Sequence, residues 1–252
     1  FIMRLKSIEF IENEGTRQEW TIEGLTLGTK NLIVGKNASG KTRSLNIISA
    51  LARFLAGSQQ IPPSSASKYD CHFVNNGTDY RYQLNYKDGQ VLTEVLTIDG
   101  VVRLNRGAGG EGEIFYEQLE GGKTVPFQSP TSEITVATRR DLKQHKFLEP
   151  LYAWASSLLH YYFGTPLGKD TFAMIVPQGA IKVNEKDPNA VVGLYRQAKK
   201  EFGEKFTNAV VDDLAIVDYR VTSVDVSAPL SLSVVNAPGE LVGINVKEND
   251  LP

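Results

Sequence analysis

One octapeptide restricts what this chain can fold into more than any other stretch of it. Residues 35–42 fit the pattern G-x-x-x-x-G-K-[ST], in which a glycine-rich loop wraps around phosphate groups. The glycines let backbone N–H groups point inward as an anion-binding nest, and the following helix directs its positive end at the same anion. The residues predicted to bind a nucleotide through this loop are Gly35, Lys36, Asn37, Ala38, Ser39, Gly40, Lys41 and Thr42.

The residues on either side of the motif fit a strand–loop–helix unit. Leu32–Val34 is a short apolar run of the kind that forms a buried parallel strand. After the loop, Gly57 is placed as a C-terminal cap, and apolar residues recur at helical spacing: Leu45, Ile48, Leu51, Ala52 and Leu55. In such a unit Lys41 neutralises the β- and γ-phosphates, and the Thr42 hydroxyl occupies one position around Mg²⁺.

The flanking sequence predicts antiparallel strands on both sides of this unit. Met3–Phe10 and Glu19–Ile22 are two strand-like runs joined by a turn. Tyr80, Tyr82, Leu84 and Tyr86 alternate with polar residues, which predicts a half-buried strand. These tyrosines could stack on nucleic-acid bases, but strict alternation favours the packed face of a sheet.

Turn signals divide the region after the loop helix into an inserted antiparallel meander. They are Asn75-Asn76-Gly77, Lys87-Asp88-Gly89, Asp99-Gly100 and Glu120-Gly121-Gly122. The glycine-rich residues 107–112 are predicted to form a mobile loop.

Helices and then further strands are predicted for the second half. Arg139–Lys146 is expected to begin a long helix with Leu148, Leu151, Trp154, Leu158 and Tyr161 on one stripe. The basic cluster at its start either faces phosphates or is a solvated helix start, and the second interpretation is favoured. His145 has no second metal ligand at a useful spacing. The remaining predictions are a buried strand at Thr171–Val176, a helix from Asp187 with Val192, Tyr195, Ala198, Phe202 and Phe206 inward, and strands at Leu214–Val226, Leu230–Val235 and Leu241–Val246.

Composition adds only broad restrictions. The chain has 252 residues, of which 41% are hydrophobic and 22% charged, as in ordinary globular proteins. A formal net charge of -2 provides no global attraction to nucleic acid or membranes. The single cysteine, Cys71, excludes an intrachain disulfide and fits a reducing cytoplasm. Because no apolar run could span a bilayer and no signal peptide is visible, we expect a cytoplasmic protein without a membrane partner.

With Asn37 at its third position and small residues after it, the loop resembles those of the ABC-type AAA family ATPase heads in the RecF/SMC/OLD-like group. The likeness is strong over residues 3–57 and only architectural from residue 69 onward. It implies an α/β P-loop NTPase fold, an ABC-ATPase-like head with a mixed sheet, an inserted antiparallel β-meander and a helical subdomain. The implied segments are 3–57 (strand hairpin, P-loop and first helix), 58–68 (linker), 69–136 (antiparallel β subdomain), 137–210 (helical subdomain) and 211–252 (C-terminal strands of the head).

The resemblance also implies site residues outside the loop. The Q-loop glutamine of those families corresponds to Gln144, or alternatively to Gln128. Arg43, directly after Thr42, is placed with the nucleotide site, although it could equally face a partner or nucleic acid, or be an exposed helix residue. The sequence contains neither the signature motif nor the catalytic acids of the group. The acidic pair Asp212-Asp213 is not accompanied by a further acid in the catalytic pattern. We therefore expect the N-terminal portion of a longer protein, rather than a protein that binds ATP without a complete site.

By this resemblance, the protein binds ATP and Mg²⁺ and forms a homodimer or higher oligomer through its ATP-bound heads. The full-length protein would hydrolyse ATP and act as a switch for a protein effector in nucleic-acid processing or anti-phage defence, with DNA or RNA as a further partner. Two alternatives stay open. One is a non-hydrolytic regulatory scaffold, and the other is a transporter's nucleotide-binding subunit, against which the long meander argues.

Overall fold

The computed structural model describes residues 3–118, 121–161, 174–177, 184–188, 190–216, 221–234 and 237–248. The chain is a mixed α/β protein that forms two compact units, the first ending at Leu158 and the second beginning at Leu159. The strands and helices of the first unit are β1 (Arg4–Glu12), β2 (Trp20–Thr26), α1 (Lys41–Leu55), β3 (Ala66–Asn75), β4 (Thr78–Lys87), β5 (Gln90–Ile98), β6 (Val101–Arg106), β7 (Glu111–Tyr116), β8 (Lys123–Gln128), α2 (Thr135–Thr138) and α3 (Glu149–Ser157).

An eight-stranded antiparallel sheet dominates the first unit. Its strands lie in the order β2-β1-β3-β4-β5-β6-β7-β8. β1 and β2 form the expected hairpin, and β3 pairs with the other edge of β1. Helix α1 therefore connects two strands that flank β1, which places it across the sheet. From β3 to β8 each strand pairs with the next, so the predicted meander after the loop helix is confirmed.

Three two-residue turns set the register of the meander. Asn76-Gly77, Asp88-Gly89 and Asp99-Gly100 join β3 to β4, β4 to β5 and β5 to β6, and every one of these residues has a positive φ. Positive φ at both central residues defines the type I′ turn, whose twist matches that of paired strands. The Asn-Gly and Asp-Gly signals of the sequence therefore predicted these turns correctly.

One face of the sheet forms the core together with α1 and α3. Tyr80, Tyr82, Leu84 and Tyr86 are all buried, which confirms the prediction that these tyrosines pack inside the sheet. The opposite residues of the strands are partly or fully exposed, as period-two alternation requires. Helix α1 contributes Ile47, Leu51, Phe54 and Leu55 to the same core.

Leu32–Val34 does not form the expected buried parallel strand. These residues lie outside both sheets, with Leu32 72% and Val34 76% exposed. A strand needs a neighbour for its backbone hydrogen bonds, and all described strand pairs are antiparallel and formed among other segments. Consequently the mixed sheet expected from the resemblance is absent from the described part of the chain.

The glycine-rich stretch at 107–112 is also not the mobile loop that was predicted. Residues 107–110 form a turn in which the Gly110 N–H donates to the Gly107 carbonyl oxygen at 3.4 Å, and the Ser129 N–H donates to the Gly110 carbonyl oxygen at 2.9 Å. A Cβ on Gly110 would lie 1.9 Å from the Ser129 carbonyl oxygen, and the φ of Gly110 is 86°. The glycine is required here by close packing rather than by mobility.

The long helix predicted from Arg139 begins ten residues later, at Glu149. The Asp141 carboxylate accepts hydrogen bonds from the N–H groups of Lys143 (2.6 Å) and Gln144 (2.9 Å), which favours a local turn over a helix. Pro150 follows at the start of α3, where its missing N–H has no cost. Leu148, Leu151 and Trp154 are buried as predicted, but the helix ends at Ser157, before Tyr161.

The second unit contains β9 (Met174–Pro177), α4 (Val191–Phe202), α5 (Glu204–Ile216), β10 (Val221–Val234) and β11 (Ala237–Glu248). Its three strands lie in the order β10-β11-β9 and are antiparallel. Residues 171–173 of the predicted strand lie outside the described residues.

Two predictions for the second unit are wrong. Residues 214–216 end α5 instead of beginning a strand, so β10 starts only at Val221. The predicted helix from Asp187 is divided by Gly203, whose φ is 61°, and Phe202 is 58% exposed rather than inward. Tyr195 is buried as expected, and its hydroxyl donates to the Val224 carbonyl oxygen at 2.9 Å.

Candidate functional site

The octapeptide of residues 35–42 forms a tight loop that leads directly into α1. Ala38 and Gly40 have φ values of 63° and 89°, and the Ser39 N–H donates to the Lys36 carbonyl oxygen at 3.2 Å. The positive φ favours glycine at position 40, whereas a Cβ on Gly35 would lie 2.7 Å from Ser39 Oγ, which would have to rotate away. Left-handed residues between right-handed or extended ones turn successive N–H groups to one side.

Lys41 bridges the loop from the first turn of α1 to its beginning. Its Nζ donates to the carbonyl oxygens of Gly35 and Lys36, at 2.7 Å each. An ammonium group has three protons, so these two bonds leave one for another acceptor. These two carbonyl oxygens therefore hold the positive charge of Lys41 at the beginning of the loop.

The N-terminus of α1 adds donors and a dipole to the loop. Gly40 is the N-cap residue, no side chain caps the helix, and its first turn contains no acidic residue. The first N–H groups of a helix have no partners within it, and together with the aligned peptide dipoles they favour a negative charge. The described loop thus combines backbone donors, an ammonium group and the positive end of a helix.

The loop also contacts the β1–β2 hairpin through Trp20. A Cβ on Gly40 would lie 3.0 Å from Trp20 Cζ2, and the Arg43 guanidinium lies 4.5 Å from the centre of the indole ring. Arg43 also forms an ion pair with Glu12. The exposed-helix interpretation of Arg43 is therefore incomplete, because a side chain that is 46% exposed still has two partners within the chain.

Thr42 belongs to the loop itself, whereas no bond shown by the described residues joins either candidate glutamine to the loop. Thr42 is exposed in the first turn of α1. Gln144 lies in the Asp141 turn, where its carbonyl oxygen accepts from the Glu117 N–H at 3.2 Å. The carbonyl oxygen of Gln128, the alternative, accepts from Arg139 at 2.7 Å. Assignment of either glutamine to a nucleotide site stays a prediction.

Metal ligands are not grouped elsewhere in the part of the chain that the structure describes. No three His, Cys, Asp or Glu residues lie close enough together there to hold an ion. Asp212 and Asp213 occupy exposed positions on α5.

His145 lies in the Asp141 turn, and burial lowers its pKa below the ordinary value of 6.5. Its Nδ1 lies 2.8 Å from the Arg139 carbonyl oxygen and therefore carries the proton.

Sequence reasoning missed a buried charge cluster on β5 and β6. Glu94 and Arg106 are both fully buried, and the Glu94 carboxylate accepts from the N–H groups of Thr135 (2.7 Å) and Val136 (3.0 Å). It also accepts from the Tyr82 hydroxyl, whose pKa is raised first by burial and then by the Glu94 charge. The available signal was a charge at an inward position of each strand, which is rare without a partner.

Comparison with known proteins identifies no relative: no family model, curated protein or solved structure matches the chain. Among the described residues, no helix has both the length and the apolar character needed to cross a membrane.

Proposed function

We propose that the loop of residues 35–42 binds the phosphates of ATP together with Mg²⁺, in a head of the RecF/SMC/OLD-like type. One observation carries the proposal: Lys41 Nζ is held over the loop by the carbonyl oxygens of Gly35 and Lys36 while one of its protons stays available. The P-loop motif and its Asn37 variant support the choice of a nucleoside triphosphate.

The loop residues would have different roles toward the nucleotide. Lys41 would neutralise charge on the β- and γ-phosphates, and the backbone N–H groups of the loop and of the first turn of α1 would bind phosphate oxygens. The Thr42 hydroxyl would be a Mg²⁺ ligand, and its exposure leaves it accessible to an ion. Gln144, or alternatively Gln128, is proposed as the Q-loop glutamine, on the resemblance alone.

The wider role follows from the same resemblance. ATP-bound heads would associate as a homodimer or higher oligomer and act as a switch for a protein effector in nucleic-acid processing or antiviral defence. Hydrolysis would require acids and a signature motif supplied by further sequence or by another chain.

Binding of MgATP to the 252-residue chain, measured by titration calorimetry, tests the proposal. Lys41→Ala removes a charged donor to the phosphates, so its affinity should fall by about 10- to 100-fold relative to the wild type. Lys36→Ala is the matched control, because it removes the same charge from the same loop but leaves the Lys36 carbonyl oxygen in place. Wild-type affinity in Lys41→Ala, or equal losses in both variants, would refute the proposed site.

ATP turnover by a chain extended past Pro252 separates the two remaining interpretations, because residues 1–252 do not contain the signature motif and the catalytic acids that hydrolysis requires. Turnover that Lys41→Ala abolishes indicates an ATPase. Tight MgATP binding without turnover by the extended chain indicates the nucleotide-binding scaffold instead.

A further inference from the structure

Three side chains connect the β1–β2 hairpin to the first turn of α1. Glu12 at the end of β1 and Trp20 at the start of β2 are partners in the strand register. Arg43, on α1, forms an ion pair with Glu12 and lies over the Trp20 ring with 4.5 Å between its Cζ and the ring centre. One planar guanidinium therefore binds both strands of the hairpin at once.

The contact acts directly beside the phosphate loop. Trp20 packs against Gly40, the residue at which α1 begins, with 3.0 Å between Cζ2 and the position of a Cβ on that glycine. On its other side Trp20 approaches Phe10, a core residue, at a ring distance of 6.2 Å. The indole thus links the loop to the core of the sheet.

On the other side of the loop, the segment that leads into it forms no strand among the described residues. Leu32–Val34 enters the loop from outside the sheet and is not held by strand pairing. The position of the loop therefore depends on α1 and on the contact of its first turn with the hairpin. A binding site needs such support to keep its donors in the productive geometry.

We propose that Glu12, Trp20 and Arg43 form an anchor that positions the phosphate loop, and that Arg43 is a positioning residue rather than a ligand of the nucleotide. This inference rests on the proposed function, since it concerns the affinity of that same loop for MgATP. The Arg43 guanidinium has its ion-pair partner and its stacking surface within the chain. Its task is to hold Gly40 and Lys41 in place.

The direction in which Glu12→Gln changes the affinity for MgATP distinguishes the two roles of Arg43. Glu12→Gln removes a negative charge near the phosphates and releases the Arg43 guanidinium. If Arg43 were a ligand of the nucleotide, or acted only by its charge, MgATP affinity would rise. If Arg43 is a positioning residue, affinity falls because the anchor is broken.

The experiment is a double-mutant cycle of MgATP affinity by titration calorimetry. Glu12→Gln and Arg43→Met should each weaken binding by about fivefold, and the double variant by about the same factor, because both changes remove one shared contact. Arg43→Lys keeps the charge but cannot stack as a plane, so it should bind between Arg43→Met and the wild type. Arg53→Met, near the other end of α1, removes the same charge and should leave affinity unchanged.

The results that would overturn the anchor differ from those that would overturn the proposed function. Tighter or unchanged binding by Glu12→Gln, or losses that simply add in the double variant, would overturn the anchor while the Lys41→Ala result stands. Absence of MgATP binding by the wild type would overturn both. Thermal unfolding of the variants without nucleotide should match that of the wild type, since an exposed ion pair contributes little to global stability.

Discussion

Breaking the buried pair of Glu94 and Arg106 by removing one partner should strongly destabilise the first unit. Both side chains are fully buried, with 3.5 Å between Glu94 Oε2 and Arg106 Nη1. Glu94→Gln keeps the volume of the side chain but removes its charge. Arg106 would then be a buried cation without a counter-charge, although the carbonyl oxygens of Pro130 and Glu133 still accept its hydrogen bonds.

Hydrogen bonding adds to the electrostatic cost. The two carboxylate oxygens of Glu94 accept separately, Oε2 from the Thr135 N–H and Oε1 from the Val136 N–H. An amide has only one acceptor oxygen, so one of these buried N–H groups would face an NH₂ group instead. Breaking a buried pair by removing one partner costs about 3–5 kcal/mol, and we expect a loss of unfolding free energy in that range.

Urea unfolding followed by tryptophan fluorescence measures this loss. Both tryptophans of the chain, Trp20 and Trp154, belong to the first unit, so the signal reports on that unit alone. Glu113→Gln on the neighbouring strand β7 makes the same chemical change at an exposed position and should alter stability by less than about 0.5 kcal/mol.

Two results bear directly on the reasoning. Adding Arg106→Met to Glu94→Gln should restore part of the stability, since the uncompensated charge is then gone. The reasoning would be refuted by a loss below about 1 kcal/mol for Glu94→Gln, or by a double variant less stable than the single one. Either result would show that the uncompensated Arg106 charge does not cause the destabilisation.

Two further changes test the packing of the first unit, by the same assay. Gly110→Ala should lower the free energy of unfolding by about 2–4 kcal/mol, because its Cβ would lie 1.9 Å from the Ser129 carbonyl oxygen. Gly109→Ala has an open environment and should lower it by about 1 kcal/mol. Similar losses in both variants would contradict the close-packing argument. Because burial lowers the pKa of folded His145 below 6.5, the unfolded chain binds the proton first, and unfolding free energy should fall as the pH decreases through that value. His145→Gln should show a smaller decrease between about pH 7.5 and 5.5 than the wild type, and equal pH dependence in the two proteins would refute this linkage.

The accuracy of the sequence predictions depended on how local the relevant interactions are. Asn76-Gly77 and Asp88-Gly89 were identified as turns because each dipeptide accepts positive φ without help from distant residues. The alternation around Tyr82 indicated its buried face for a similar reason. In contrast, the helix expected from Arg139 was wrong because the Asp141 side chain and Pro150 compete with helical spacing.

The sequence alone determined the glycine-rich motif of residues 35–42, the hairpin turns and the alternating faces of the meander, since these depend on backbone preferences and neighbouring residues. Only the tertiary structure decided that Leu32–Val34 stays outside both sheets, that Arg43 binds Glu12 and Trp20, and that Glu94 is buried against Arg106. Each of these depends on residues that are distant in the chain. Their partners are selected by strand order and by the free energy of burying or pairing a charge, which no local pattern records.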